Sequence, residues 1–194
     1  MSAWISMISD EDASADLLDA LTLARTPHGT VDNVMRVHSH RPNTMRGHVA
    51  LYRAALHDDS NTIPEWLQET LSSYVSILNK CPYSLANHWA NARHLINDDT
   101  KADAIEKALY NANPEAVFSG SELALMNYAK KLTLQPSEMN KGDVEALKNE
   151  GLNDGEILEA NQIIGYFNYV NRLLNGLGVT TDGDTVGYYA NENQ

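Results

Sequence analysis

Apolar residues recur along most of this chain at steps of three and four, the spacing that lines one face of an α-helix. Leu17, Leu18, Leu21 and Ala24 form a first stripe that closes near Pro27-His28-Gly29. A short helix is expected from Val31 to Ser39, halted at Arg41-Pro42 because a residue before proline avoids the helical region. Met45, Val49, Tyr52 and Leu56 share the next face, and Asp58-Asp59-Ser60-Asn61 reads as a turn. Pro64 suits the first turn of a further helix, whose stripe is Leu67, Leu71, Val75 and Leu78. Another helix is expected from Pro82 to about Asn97.

Two N-terminal signatures stand out downstream. Ser119 with Glu122, and Asn153 with Glu156, have the spacing of a capping box. The second opens the longest expected helix, about 154–176, with a core stripe of Ile157, Ala160, Ile164, Phe167, Val170 and Leu174. Gly176 is the expected left-handed stop. Alternating strand patterns are hard to find, β-favouring residues fall mostly inside helical stripes, and no internal repeat or low-complexity tract occurs. The expectation is a single all-α domain over 1–194, with Pro114–Gly120 as the nearest thing to a seam and a tail over 183–194.

Composition narrows the function classes. With Lys+Arg 14 against Asp+Glu 26 the net charge is −12, which argues against a nucleic-acid partner or an anionic membrane surface. Hydrophobic residues at 43% and charged residues at 21% belong to a folded protein. Cys81 is the single cysteine, so no disulfide can form within the chain. The start of the chain has no basic n-region followed by an apolar run, and no apolar stretch approaches the ~20 residues of a membrane span. The expectation is a cytoplasmic protein.

The chemistry gathers in Lys80-Cys81-Pro82-Tyr83-Ser84-Leu85-Ala86-Asn87-His88. Proline at the first helical position makes Cys81 the N-cap, where unpaired N–H groups and the positive end of the helix dipole favour a thiolate. Ser84 and His88 follow on one helical stripe, within reach of each other. The preceding helix carries Glu69 with Ser72, Ser73 and Ser76, a small polar face that lets a neighbouring helix approach closely. A tight link at Lys80-Cys81 makes the two helices neighbours, so Glu69 can fix the tautomer of His88. The plainer readings are a half-buried cysteine at a helix start, a core histidine and a solvated glutamate.

The pattern Glu69-x11-Cys81-x2-Ser84-x3-His88 resembles the Glu-x11-Cys-x2-Cys-x3-His signature of the alkylhydroperoxidase D-like (AhpD-like) and carboxymuconolactone decarboxylase superfamily. Ser76-Ile77-Leu78-Asn79-Lys80-Cys81-Pro82-Tyr83 is similar to that family's flanking stretch. Gly29-Thr30-Val31-Asp32-Asn33-Val34-Met35, with Arg41-Pro42, is similar to its opening. Gly165-Tyr166-Phe167-Asn168-Tyr169-Val170-Asn171-Arg172, with Gly176-Leu177-Gly178-Val179, resembles the closing helix of its peroxidase-related branch. The likeness spans about residues 20–180.

What the resemblance implies is an AhpD-like helical bundle that assembles as a homo-oligomer, commonly a trimer or hexamer, and reduces peroxide with an external thiol as reductant. In that scheme the second motif cysteine attacks peroxide, a His and a Glu relay its proton, and the first cysteine resolves the sulfenic acid. Here the attacking position is Ser84, so the two-cysteine cycle cannot run and a one-cysteine cycle at Cys81 is what remains. The candidate catalytic set is therefore Cys81, Ser84, His88 and Glu69. Acid–base chemistry by His88 and Glu69 on a small organic acid or lactone, as in the decarboxylase branch, is the alternative; a non-catalytic oligomeric relative is the third.

No metal or cofactor is expected. His38 and His40 point apart on a helix, His88 and His94 face different ways, and no His-Glu-x-x-His or Cys-x-x-Cys occurs. Gly176-x-Gly178 follows a helix, the wrong context for a phosphate loop. Nor is there a Gly-x-Ser-x-Gly elbow to make Ser84 a hydrolase nucleophile. Asn171 and Arg172 read as a structural hydrogen-bond network. Trp66, Tyr128, Phe167, Tyr188 and Tyr189 are expected to share apolar surface between chains of an oligomer.

Overall fold

A computed structural model describes residues 2–189, and among these the chain is helical with no strand. The α-helices are α1 (Ala15–Leu23), α2 (Asn33–Arg36), α3 (Pro42–Leu56), α4 (Glu65–Leu78), α5 (Pro82–Ile96), α6 (Asp99–Tyr110), α7 (Gly120–Leu134), α8 (Lys141–Asn149) and α9 (Asp154–Leu177). Short 3₁₀ turns at Pro114–Ala116 and Pro136–Glu138 flank α7.

α4 lies at the centre, packed on α5, α7 and α9. Leu67, Leu71, Tyr74 and Val75 bury its apolar side, while Ser72, Ser73 and Ser76 are equally buried. Burying a hydroxyl costs free energy unless it is hydrogen-bonded. Each of these hydroxyls donates back one turn, to the carbonyls of Gln68 (2.7 Å), Glu69 (2.8 Å) and Ser72 (2.8 Å). The small, internally satisfied face lets α5 pack closely on α4.

The α4–α5 link is as tight as expected. Lys80 takes a left-handed φ of 53°, and the Cys81 N–H donates to the Ser76 carbonyl at 2.9 Å. That pairing satisfies an end carbonyl of α4 and turns the chain at once into α5. Cys81 is the N-cap of α5, with Pro82 opening the helix.

Several boundaries differ from the sequence reading. α2 is one turn shorter than expected, with turns over 37–40. Ser119 is the N-cap of α7, yet its side chain makes no capping bond. The Asn153–Glu156 capping box is present, but α9 runs through Gly176 and stops at Gly178, whose φ is 59°. A Cβ at Gly178 would sit 2.2 Å from the Trp4 ring, so close packing as well as conformation requires glycine there. α6 and α8 are new. α8 buries only Leu147 and α6 relies on two alanines, Ile105 and Leu109, leaving little apolar stripe to read.

Pro114–Gly120 is no seam: Phe118 and Pro114 are buried, and Phe118 belongs to one apolar cluster with Ile105, Leu109 and Leu125. The tail beyond Gly183 is not detached either, since Asp184 to Tyr188 lie across the body of the protein; residues 190–194 fall outside the described chain. Of the aromatics expected to be shared between subunits, Phe167 is fully buried within the chain and Tyr128 is 7% exposed. No helix among the described residues is long and apolar enough to cross a membrane.

Candidate functional site

His88 and Glu69 meet as the spacing predicts. His88 stands two turns into α5 and Glu69 one turn into α4, and the short link brings the two faces together. His88 Nδ1 lies 2.6 Å from Glu69 Oε2. A carboxylate only accepts, so Nδ1 carries the proton and Nε2 is left as the proton-exchanging atom. The imidazole stands edge-on to Phe167, centroids 4.5 Å apart, which fixes its plane. Asn91, one turn beyond His88, donates from Nδ2 to Glu69 Oε1 at 3.2 Å. The carboxylate is thereby held at both oxygens.

His88 lines a cavity of about 490 Å³. Its walls include Val34, Met35, Val49, Val170 and Leu174, with Tyr52 and Tyr166, so most of the lining is apolar. Polar groups converge from His28, Asp32, His57, Tyr83, Ser84, Asn87 and Asn91. This combination of apolar walls and a few directed polar groups is the usual form of a small-molecule site.

The chain's last described segment lines this cavity through Thr185, Gly187 and Tyr188. Gly187 N–H donates to Asn87 Oδ1 (3.1 Å) and Tyr188 N–H to Asn91 Oδ1 (2.6 Å). Tyr188 stacks on His57 at 5.3 Å, and the Tyr83 hydroxyl donates to Asp184 Oδ2 at 2.6 Å. Asn91 thus bonds both the tail and the carboxylate that holds His88.

Cys81 meets a different environment from the one expected. It is 1% exposed and packed within the main apolar cluster, and it is not among the residues lining the cavity. Burial pushes the thiol pKa up, outweighing the opposing pull of the backbone amides of Ser84 and Tyr83. The helix start does favour a thiolate, but the dry surroundings favour the thiol more. Ser84 does line the cavity, yet its Oγ lies 2.9 Å from Ser76 Oγ and makes no bond to His88. A Ser84–His88 relay is therefore not formed.

Other expected roles sort similarly. Asn171 is fully buried and donates to Ser76 Oγ at 3.3 Å, the structural network anticipated for it. Arg172 is exposed, donates to Asn168 and does not line the cavity. Tyr83, read mainly as packing, lines it. His38 and His40 do diverge, but His38 pairs with His48 of α3 at 3.0 Å, ten residues away.

Sequence reasoning missed Asp32, Tyr52, His57, Asn91 and Tyr166. Asn91 continues the Ser84–His88 stripe by a three-residue step, so that signal was present. The others come from separate elements. Asp32 is notable because burial, then the nearby Asp184 carboxylate, push its pKa up to about 6. Its Oδ1 is buried without a hydrogen-bond partner.

Comparison with solved structures defines the fold. An AhpD-core, uncharacterized peroxidase-related protein from Ralstonia eutropha JMP134 superposes with a TM-score of 0.80, at 22% identity over 95% of this chain and 94% of its own. A peroxidase-related protein from Silicibacter sp. TM1040 gives a TM-score of 0.79 at 20% identity, covering 94% and 93%. A variant of the debrominase Bmp8 in complex with 2,3,4-tribromopyrrole gives a TM-score of 0.73 at 15% identity, covering 92% and 91%. No protein-family model and no curated protein matches the sequence. The chain has the all-α AhpD-like fold, shared with peroxidase-related proteins and a debrominase.

Proposed function

We propose that this chain is an acid–base enzyme of the AhpD-like type, acting on a small, largely apolar organic substrate in the cavity beside His88. The observation that carries the reading is the 2.6 Å His88–Glu69 pair, made through Nδ1 by an imidazole that lines the cavity, while the sulfur is packed elsewhere. His88 Nε2 takes a proton from the substrate, and Glu69 stabilises the imidazolium that results. The proton returns to substrate or water from the same nitrogen. Asn91 keeps the carboxylate oriented. Ser84 and Tyr83 shape the same cavity, their hydroxyls held by Ser76 and Asp184. The apolar walls exclude water from around the transferred proton.

Reduction of peroxide at Cys81 with an external thiol is the second reading, supported by the AhpD-like fold and by the amides of Ser84 and Tyr83 facing the sulfur. It needs peroxide to reach an atom that the apolar core covers. The bound tribromopyrrole of Bmp8 belongs to that protein; what supports a compact ring as substrate here is the cavity's size and lining.

Two assays on the wild type, His88→Ala and Cys81→Ala separate the readings. One follows solvent deuterium exchange into small lactones and keto acids by NMR; the other follows hydrogen peroxide consumption with a dithiol. The expected result is exchange that falls about a hundredfold or more in His88→Ala and stays within about twofold in Cys81→Ala. Peroxide consumption that vanishes in Cys81→Ala, with no exchange activity, contradicts the proposal.

A further inference from the structure

A second polar chain runs from Thr44 through His38 and His48 and reaches the cavity wall at Tyr166. Thr44 Oγ1 donates to the Arg41 carbonyl at 2.8 Å, which uses its only proton. The same oxygen lies 2.9 Å from His38 Nδ1, and with the Thr44 proton on the Arg41 carbonyl that nitrogen is assigned as the donor. His38 and His48 are 7% and 2% exposed, and burial lowers the pKa of both, so each is a neutral ring with one N–H.

With its proton on Nδ1, His38 presents a bare Nε2, and His48 Nδ1 at 3.0 Å must donate to it. His48 in turn has a bare Nε2, 2.8 Å from the Tyr166 hydroxyl. That hydroxyl must therefore donate its one proton to His48. Tyr166 is 4% exposed and forms part of the cavity wall.

We propose that Thr44, His38 and His48 lock Tyr166 as a hydrogen-bond acceptor toward the cavity, so that the site selects compact apolar rings bearing an N–H or O–H donor. The inference deepens the acid–base reading, since it assigns the substrate a donor group held by Tyr166 in the cavity that His88 also lines. A phenol, pyrrole or indole N–H fits such a site; an isostere with only an oxygen acceptor meets a lone pair with a lone pair. Tyr166 is a positioning residue that touches the ligand, and the two histidines act through it.

Thr44 is exposed, yet its substitution should be felt in the cavity. Thr44→Val removes the acceptor that holds His38 Nδ1–H. Both imidazoles then gain by shifting to the Nε2–H form, and Tyr166 turns its proton toward the cavity. The test uses indole and benzofuran, isosteric rings differing in donor against acceptor, titrated calorimetrically at pH 8 against the full chain. Tyr166→Phe supplies the preference that solubility and shape alone give.

The wild type is expected to exceed that reference ratio in favour of indole by about fivefold, the usual net worth of one neutral hydrogen bond. Thr44→Val is expected to fall to the reference ratio or below it. In parallel, ¹⁵N–¹H correlation spectra should show His38 and His48 as Nδ1–H tautomers in the wild type and Nε2–H in Thr44→Val. Equal ratios in wild type and Tyr166→Phe, an unchanged ratio in Thr44→Val, Nε2–H tautomers in the wild type, or no saturable binding of either probe overturns it. Because binding is read without turnover, such a failure leaves the His88-dependent exchange standing and is distinguishable from failure of that chemistry.

Discussion

At the scale of single residues, two carboxylates with opposite surroundings show how position decides role. Glu69 is held by His88 and Asn91, so its charge has work to do and partners to offset burial. Asp32 has an oxygen with no partner and a second carboxylate nearby. Its folded-state pKa of about 6 lies above the ordinary 3.8, so its contribution is present below pH 3.8 and is lost as pH rises through about 6. Asp32→Asn should therefore raise stability at pH 8 by about 1 kcal/mol, solvent screening having been discounted, and leave it unchanged at pH 3.5. Urea midpoints at the two pH values check this; a loss of stability at pH 8 would show that the Asp32 charge is compensated.

Legibility at this scale was uneven. Glu69 and His88 could be paired from sequence because a short link fixes where α5 lies on α4, and helical spacing does the rest. The depth of Cys81 could not be read that way. Its N-cap position is local information, but its burial comes with membership of an apolar cluster that draws on residues as distant in sequence as Phe167 and Val170. Asp32 and Tyr166 joined the cavity through contacts between elements far apart, for which the sequence holds no periodic signal.

Among the elements, the α4–α5 hairpin organises the site. Long stripes such as that of α9 were legible because large apolar residues recur over many turns. α6 and α8 were not, because tertiary packing makes a helix of few apolar residues stable. The hairpin turn itself carries strain: Lys80 has φ 53° in a position glycine would occupy freely. Lys80→Gly should stabilise the protein by about 0.5–1 kcal/mol, with the His88–Glu69 geometry unchanged. Thermal unfolding reads the gain. A destabilised variant would mean that the Lys80 side chain contributes more than its backbone conformation costs.

The whole molecule adds a pH response that no single helix contains. His48 is buried from α3 against His38 and Tyr166, with the Tyr169 ring alongside, and burial followed by His38 pushes its pKa down to about 3. The unfolded chain binds that proton near pH 6.5 and the folded one does not. Stability from this group is thus complete above pH 6.5 and lost as pH falls toward about 3, at up to about 1.4 kcal/mol per pH unit. His48→Gln should flatten the acid limb of a urea-midpoint profile between pH 6 and 4. An unchanged limb would place the acid sensitivity elsewhere. Cys81 is buried in the main apolar cluster, and Thr185, Gly187 and Tyr188 of the tail line the cavity.

Whether the chemistry belongs to the imidazole or to the sulfur is decided most directly by the alkylation rate of the native protein with iodoacetamide across pH 6–10. Cys81 is the single cysteine, so the signal has one source. The account predicts slow labelling, a midpoint above that of an ordinary thiol, and a large acceleration once the chain is unfolded in urea. Rapid native labelling with a midpoint below neutrality would contradict it and return the site to thiol chemistry.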